Sequence, residues 1–176
     1  NGLGLSITKN LIKLLGGSIR LDSKEGYGSR FYIKLPIEKQ KFIQSKQNYS
    51  SSFHWADKTI LIAEDVIHNF QFLDNLMTKS GAKVHWAKNG IEAVKMCDKT
   101  CPYDLILMDI QMPLMNGLKA TRIIKNKHPN VPIIAQTAFA ETTSKEDVFD
   151  AGCDDFIFKP IKIEDLLKKI SRFLNA

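Results

Sequence analysis

The run Asp104-Leu105-Ile106-Leu107-Met108-Asp109-Ile110-Gln111-Met112-Pro113 decides the fold. Four consecutive apolar residues, 105–108, lead straight into a carboxylate, Asp109. An unbroken apolar run of this length fits a parallel strand buried on both faces, not a strand with one wet side. Such a strand ends in a loop, and open α/β sheets hold their ligands beyond the carboxyl ends of the strands. Asp109 is therefore expected at the mouth of a sheet, with Pro113 close behind. Taken alone, Asp109 reads equally well as a turn residue. The rest of the chain decides between the two readings.

From Lys58 onward the pattern alternates strand and helix. Residues 59–63 form an apolar strand running into Glu64-Asp65. A helix follows with Phe70, Leu73, Leu76 and Met77 on one face, closed by Gly81. Segment 82–87 reads as a short strand and 90–98 as a helix with Ile91, Val94 and Met96 apolar. After the strand at 105–109 come a helix over 117–127 and a strand over 132–136 ending at Thr137. A helix over 142–151, capped by Thr142 or Thr143, precedes a strand over 156–158 that enters Lys159-Pro160. The last helix spans 163–174. Five strand–helix pairs with short links predict a five-stranded parallel sheet, helices on both faces and right-handed crossovers.

Parallel strands present their carboxyl ends along one edge. The strand ends then bring together Glu64 and Asp65, Asp109, Thr137 and Lys159. Three carboxylates that close repel one another and are tolerable only around a cation. Hard oxygen donors with room for water suit Mg²⁺. A hydroxyl and an ammonium facing the metal are what a phosphoryl group in transfer requires. Each residue has a plain structural reading by itself: a helix cap, a strand end, a solvated charge, a turn. Their conjunction at four strand ends is hard to assign to chance.

Residues 1–36 follow a different plan. A glycine turn, Asn1-Gly2-Leu3-Gly4, opens an amphipathic helix carrying Leu5, Ile7, Leu11, Ile12, Leu14 and Leu15, which Gly16-Gly17 stops. Two alternating runs, 18–22 and 30–35, flank Gly26-Tyr27-Gly28 and predict a hairpin. A helix and a hairpin of fewer than ~40 residues make no independent core. The segment is expected to pack on its neighbour, to self-associate, or to be poorly ordered. Residues 37–57 are polar, Ser- and Gln-rich and aperiodic, and read as a linker in which His54-Trp55 could dock onto the following domain.

Composition narrows the function classes. The net charge of +6 divides into +5 over residues 1–57 (9 Lys+Arg, 4 Asp+Glu) and +1 over 58–176 (16 against 15). No arginine-rich helix or aromatic–basic alternation accompanies it, so nucleic acid is not an expected partner. No apolar run approaches the ~20 residues of a membrane span, and no signal peptide opens the chain. Cys97, Cys101 and Cys153 read as free thiols of a reducing cytosol, with no second pair of ligands to complete a zinc site.

Residues 58–176 resemble the receiver domain of two-component signalling, through Glu64-Asp65, Asp109 in L-M-D-I-Q-M-P, Thr137 in Q-T-A-F-A and Lys159 in F-K-P. Residues 1–36 resemble the closing block of the ATP-binding domain of sensor histidine kinases, G-L-G-L-S-I, G-G-x-I, G-x-G-S-x-F, L-P. Together they resemble a hybrid sensor kinase, with a flavodoxin-like receiver behind a truncated α+β remnant. The resemblance implies that Asp109 accepts phosphate from a phosphohistidine of the same parent chain or its dimer mate. It implies Mg²⁺ held by Asp65, Asp109 and the main-chain carbonyl of Gln111, with Glu64 acting through water. Thr137 would bond the phosphoryl oxygen, Lys159 would pair with it, and Phe156 stands at the aromatic switch position. Gly2 and Gly4 would be remnants of the phosphate lid. ATP binding belongs to the longer parent, since the phosphorylated His, the Asn-bearing helix and the adenine loop have no counterpart here. This chain is expected to accept and hydrolyse phosphoryl groups in the cytoplasm and to pass them to a His-containing phosphotransfer protein. No DNA-binding output is legible after the last helix.

Three other readings compete. An inert receiver would serve protein contacts only; filled positions at all four strand ends argue against it. A flavodoxin-like FMN protein would have to place a phosphate against acidic strand ends. Residual kinase activity would show with labelled ATP alone. A finer expectation concerns lifetime: Phe139, two residues after Thr137, screens the acyl phosphate from water, so Phe139→Ala should shorten its half-life.

Overall fold

The computed structural model describes residues 3–36, 53–98, 100–138 and 144–175. Gly2, Phe139, Thr142, Thr143 and most of the expected linker lie outside them. The chain divides into two units, 1–47 and 48–176.

In the smaller unit, helix α1 (Leu3–Leu14) is followed by strands β1 (Ser18–Lys24) and β2 (Gly28–Lys34), paired antiparallel with Ser18 opposite Lys34. Gly16 and Gly26 adopt φ of 70° and 77°, the left-handed region open to glycine. Ile12 is buried, while Leu5, Ile7, Leu11, Leu14, Phe31, Tyr32 and Ile33 stay exposed. Two layers this small leave most apolar side chains uncovered, as the size argument predicts.

The larger unit is built from β3 (Thr59–Ala63), α2 (Ile67–Lys79), β4 (Lys83–Ala87), α3 (Gly90–Met96), β5 (Leu105–Asp109), α4 (Gly117–Lys127), β6 (Ile133–Ala138), α5 (Lys145–Asp150), β7 (Asp155–Lys159) and α6 (Ile163–Leu174). The five strands form one parallel sheet in the order β4-β3-β5-β6-β7. β5 sits at its centre and every residue in it is buried. Its alternation sorts the core: Ile106 and Met108 join Ala93, Ala120, Ile124 and Val148, while Leu105 and Leu107 join Leu73, Met77, Leu166 and Ile170. Helices α3, α4 and α5 thus cover one face and α2 and α6 the other.

Several boundaries differ from the sequence reading. α5 starts at Lys145, not at 142. Ser144 forms a capping box with Asp147, satisfying two orphan backbone donors at once; the expected caps Thr142 and Thr143 lie outside the described residues. β6 and β7 each run further than the apolar pattern alone marks.

The linker expected to extend to Asp57 ends earlier. Trp55 is fully buried, its backbone N–H donates to the Ser80 carbonyl at 2.7 Å, and its ring packs with Phe53 into the α2/α6 layer. Ala56 lies against Gly81, whose φ of 87° no other residue would adopt as easily. Trp55→Ala is expected to cost about 3–5 kcal/mol, the usual range for emptying a large aromatic site. Urea denaturation measures it; a cost near zero would return Trp55 to the linker.

Candidate functional site

The carboxyl edge of the sheet collects the charged groups. β3 ends beside Glu64 and Asp65, β5 at Asp109, β6 just past Thr137 and β7 at Lys159. Register fixes their spacing, with Ala63 opposite Met108, Asp109 opposite Gln136 and Ala138 opposite Lys159. Glu64 and Asp109 are buried; Asp65 and Gln111 are exposed.

Lys159 ties the edge together. Its ammonium donates to Glu64 Oε2 at 2.8 Å and to Asp109 Oδ2 at 2.7 Å. The other oxygen of each carboxylate is also held. Glu64 Oε1 accepts from the Val66 N–H (3.2 Å) and Asn69 Nδ2 (3.0 Å); Asp109 Oδ1 accepts from the Gln111 N–H (3.2 Å). Ligating oxygens of Glu64, Asp65 and Asp109 all lie within 4.8 Å of one another, the one group of three such residues among those described. The hard oxygen donors and their negative charge fit a small divalent cation.

Burial, the largest influence, pushes the Asp109 carboxyl above its usual range. Lys159 opposes the rise without cancelling it, and the Glu64 charge adds to it. Burial also pulls hardest on Lys159, downward, but its hydrogen bonds and charge pairing with Asp109 and Glu64 together hold the ammonium above its ordinary value. The Lys159 ammonium, shared with Glu64, secures its own charge better than it compensates Asp109.

The backbone around Asp109 is tightly constrained. Gly117 opens α4 beside it, its N–H donating to the Ile110 carbonyl at 2.9 Å. A Cβ at Gly117 would stand 2.1 Å from the Asp109 carbonyl oxygen. Asn116 caps α4 through the Lys119 N–H. The Lys159–Pro160 peptide is cis.

Thr137 lies on the same edge, but its hydroxyl donates to the Ala138 carbonyl at 3.0 Å and not to Asp109. Thr137 and Phe156 both line a cavity of about 100 Å³, together with Ser144 and Val148. The Phe156 ring is half-buried and meets Phe158 and Phe149 edge-on. Gly4 lies in α1 of the other unit.

Sequence reasoning gave no role to Asn69 or Trp86. Asn69 reaches Glu64 from the first turn of α2; no local pattern marks it. Trp86 donates from Nε1 to the Glu64 carbonyl at 2.8 Å and stacks on Phe70 with ring centroids 4.3 Å apart. Glu64, expected to act on the metal through water, also contacts Lys159 directly. Among the described residues no helix is long and apolar enough to cross a membrane.

Residues 60–171 match the family described as the response regulator receiver domain, and residues 1–39 match the histidine kinase-, DNA gyrase B- and HSP90-like ATPase family. The chain is 34% identical over 177 residues to the autoinducer 2 sensor kinase/phosphatase LuxQ of Vibrio vulnificus, covering 98% of this chain and 20% of that protein. It therefore spans about a fifth of the length of this curated relative. The receiver domain of sensor histidine kinase PA1611 from Pseudomonas aeruginosa PAO1, solved with a magnesium ion in its active site cleft, superposes with a TM-score of 0.62 at 33% identity, over 68% of this chain and 98% of that one. The receiver domain of Ssk1 from Saccharomyces cerevisiae, solved with the histidine phosphotransfer protein Ypd1, gives 0.62 at 29% identity, over 67% and 89%.

Proposed function

We propose that this chain, which belongs to the response regulator receiver domain family and carries a histidine-kinase ATPase segment ahead of it, accepts a phosphoryl group on Asp109. The observation that carries the reading is the Lys159 ammonium held between Glu64 and Asp109, with Asp65 beside them. A buried carboxylate next to a fixed ammonium, on an edge open to solvent through Asp65, is placed to attack phosphorus and to have the incoming charge neutralised.

In the transfer, a carboxylate oxygen of Asp109 attacks the phosphorus of a phosphohistidine. The P–N bond breaks, its electron pair leaves with the imidazole, and an acyl phosphate remains. Glu64, Asp65 and Asp109, with the Gln111 carbonyl, would hold Mg²⁺, which when bound offsets charge on the phosphoryl oxygens. Lys159 supplies the fixed positive charge opposite. Thr137 exchanges the Ala138 carbonyl for a phosphoryl oxygen, and Phe156 moves into the cavity that both line. Phosphorylation then biases two arrangements of the α5–β7 face. Hydrolysis of the acyl phosphate resets the site.

The donor is a phosphohistidine of a kinase, and the next carrier is a His-containing phosphotransfer protein. Kinase activity and ATP binding are assigned to the longer parent, and the site to the cytoplasmic side. No observation favours a receiver used for contacts alone.

Trp86 makes the metal step testable without labels. Its indole is hydrogen-bonded to the backbone of Glu64, so Mg²⁺ titration should change its fluorescence saturably. Asp65→Asn should weaken the effect and Trp86→Phe should remove it. A wild-type signal flat up to millimolar Mg²⁺, with beryllofluoride also silent, would overturn the proposal.

A further inference from the structure

At the opposite end of the sheet two sulfurs face each other. Cys97 is the C-cap of α3 and Cys101 lies in the irregular segment before β5. Their Sγ atoms are 3.4 Å apart. Cys97 is buried, whereas Cys101 is half-buried and lines an open groove of about 540 Å³ with Tyr103, Lys127, His128 and Pro129. Cys101 is therefore the more accessible of the two sulfurs to a small reagent.

The chemistry of the pair is asymmetric in the same sense. The contact with Cys97 is the main cause lowering the Cys101 thiol to about 7, with nearby His128 helping, while that contact and burial push Cys97 up. A thiolate is the nucleophilic form of cysteine, and exposure with a lowered pKa marks the reactive one. Cys153 is the contrast: it is buried, lies 3.8 Å from the Thr121 hydroxyl, and burial raises its thiol to about 11.

A metal does not explain the pair. Among the described residues, the one trio of ligating side chains within reach of a shared ion is Glu64, Asp65 and Asp109. The nearby His128 presents Nε2 to the Cys97 carbonyl at 2.6 Å. Two sulfurs without further ligands do not hold zinc.

We propose that Cys97 and Cys101 form a peroxide-sensitive dithiol that closes to an intramolecular disulfide. The Cys101 thiolate attacks an oxygen of hydrogen peroxide; the O–O bond breaks, and hydroxide leaves and takes up the proton the thiol had released. Cys101 is then a sulfenic acid. The Cys97 sulfur attacks the Cys101 sulfur, the S–O bond breaks, and the departing hydroxide leaves as water with the Cys97 proton. Two thiols and one peroxide become one disulfide and two waters. The sulfurs must close from 3.4 Å to about 2.05 Å. Cys101, outside any helix or strand, supplies that movement. The bond ties the end of α3 to the segment entering β5, the strand that carries Asp109.

The test is a thiol count. The chain is treated with hydrogen peroxide, denatured, alkylated with iodoacetamide and weighed intact. Three alkylated cysteines should fall to one and return to three after dithiothreitol. Peptide mapping should place the surviving label on Cys153. Cys97→Ala should stop at a Cys101 sulfenic acid trapped by dimedone, and Cys101→Ser, the more exposed change, should abolish the loss of label. Retention of all three labels, a wild-type sulfenic acid with Cys97 still alkylated, or a bond to Cys153 or to a second chain would each overturn the proposal.

Discussion

Lys159→Met should unfold at a much lower urea concentration than the wild type in metal-free buffer at pH 7. The ammonium it removes bridges Glu64 Oε2 and Asp109 Oδ2. Neither carboxylate has solvent to turn to: their side chains are 0% and 6% exposed. Removing one member of a buried ion pair leaves the other uncompensated, a loss of about 3–5 kcal/mol. Lys159 itself is partly exposed, so about 3 kcal/mol is expected. Two conditions should shrink the deficit. Acid protonates the carboxylates and removes their repulsion. Millimolar Mg²⁺ replaces the lost positive charge. Equal stability of variant and wild type at pH 7 would mean that the bridge carries no weight.

Asp109→Asn should reduce phosphoryl acceptance from acetyl phosphate below detection by intact mass, because an amide is not a nucleophile toward phosphorus. The same variant should be more stable than the wild type at neutral pH. Burial raises the folded-state pKa of Asp109 above its unfolded value. A raised carboxyl contributes its stability below the unfolded pKa, about 3.9, and loses it as pH rises through the folded value. At pH 7 the wild type therefore bears a cost the asparagine does not. The gap between the two proteins should close as the pH falls below about 4. Urea curves at several pH values measure it; a variant less stable than wild type at pH 7 would reverse the sign.

The parts of this molecule that sequence made legible are those governed by local pattern. β5 declares itself because a strand buried on both faces must be apolar throughout, and its bounds are as read, Leu105–Asp109. α4 and α6 also begin and end where periodicity and capping place them. The strand-end residues converge because parallel topology leaves them no other edge. What stayed hidden depends on contacts between distant residues. Trp55 sits in a polar, aperiodic stretch; the sequence allows it to dock, but its full burial beside Phe53 and Ser80 shows only in the fold. Asn69 looks like any polar helix residue until Glu64 is folded beneath it. The roles given to Lys159 and Thr137 presuppose an incoming phosphoryl group. Lys159 bridges two carboxylates and Thr137 donates to its own strand. The Cys97–Cys101 spacing is visible in sequence, but not that the two sulfurs meet beside an open groove while Cys153 is sealed.

The central claim is that one aspartate, set among negative oxygens and faced by an amine, takes up phosphate. Borohydride reduction tests it most directly, because it converts an aspartyl phosphate to homoserine at the residue that carried it. After incubation with a phosphohistidine donor and Mg²⁺, peptide sequencing should find homoserine at position 109 alone, and none when EDTA replaces the metal. Homoserine at position 65 instead, or its absence everywhere under both conditions, would contradict the account.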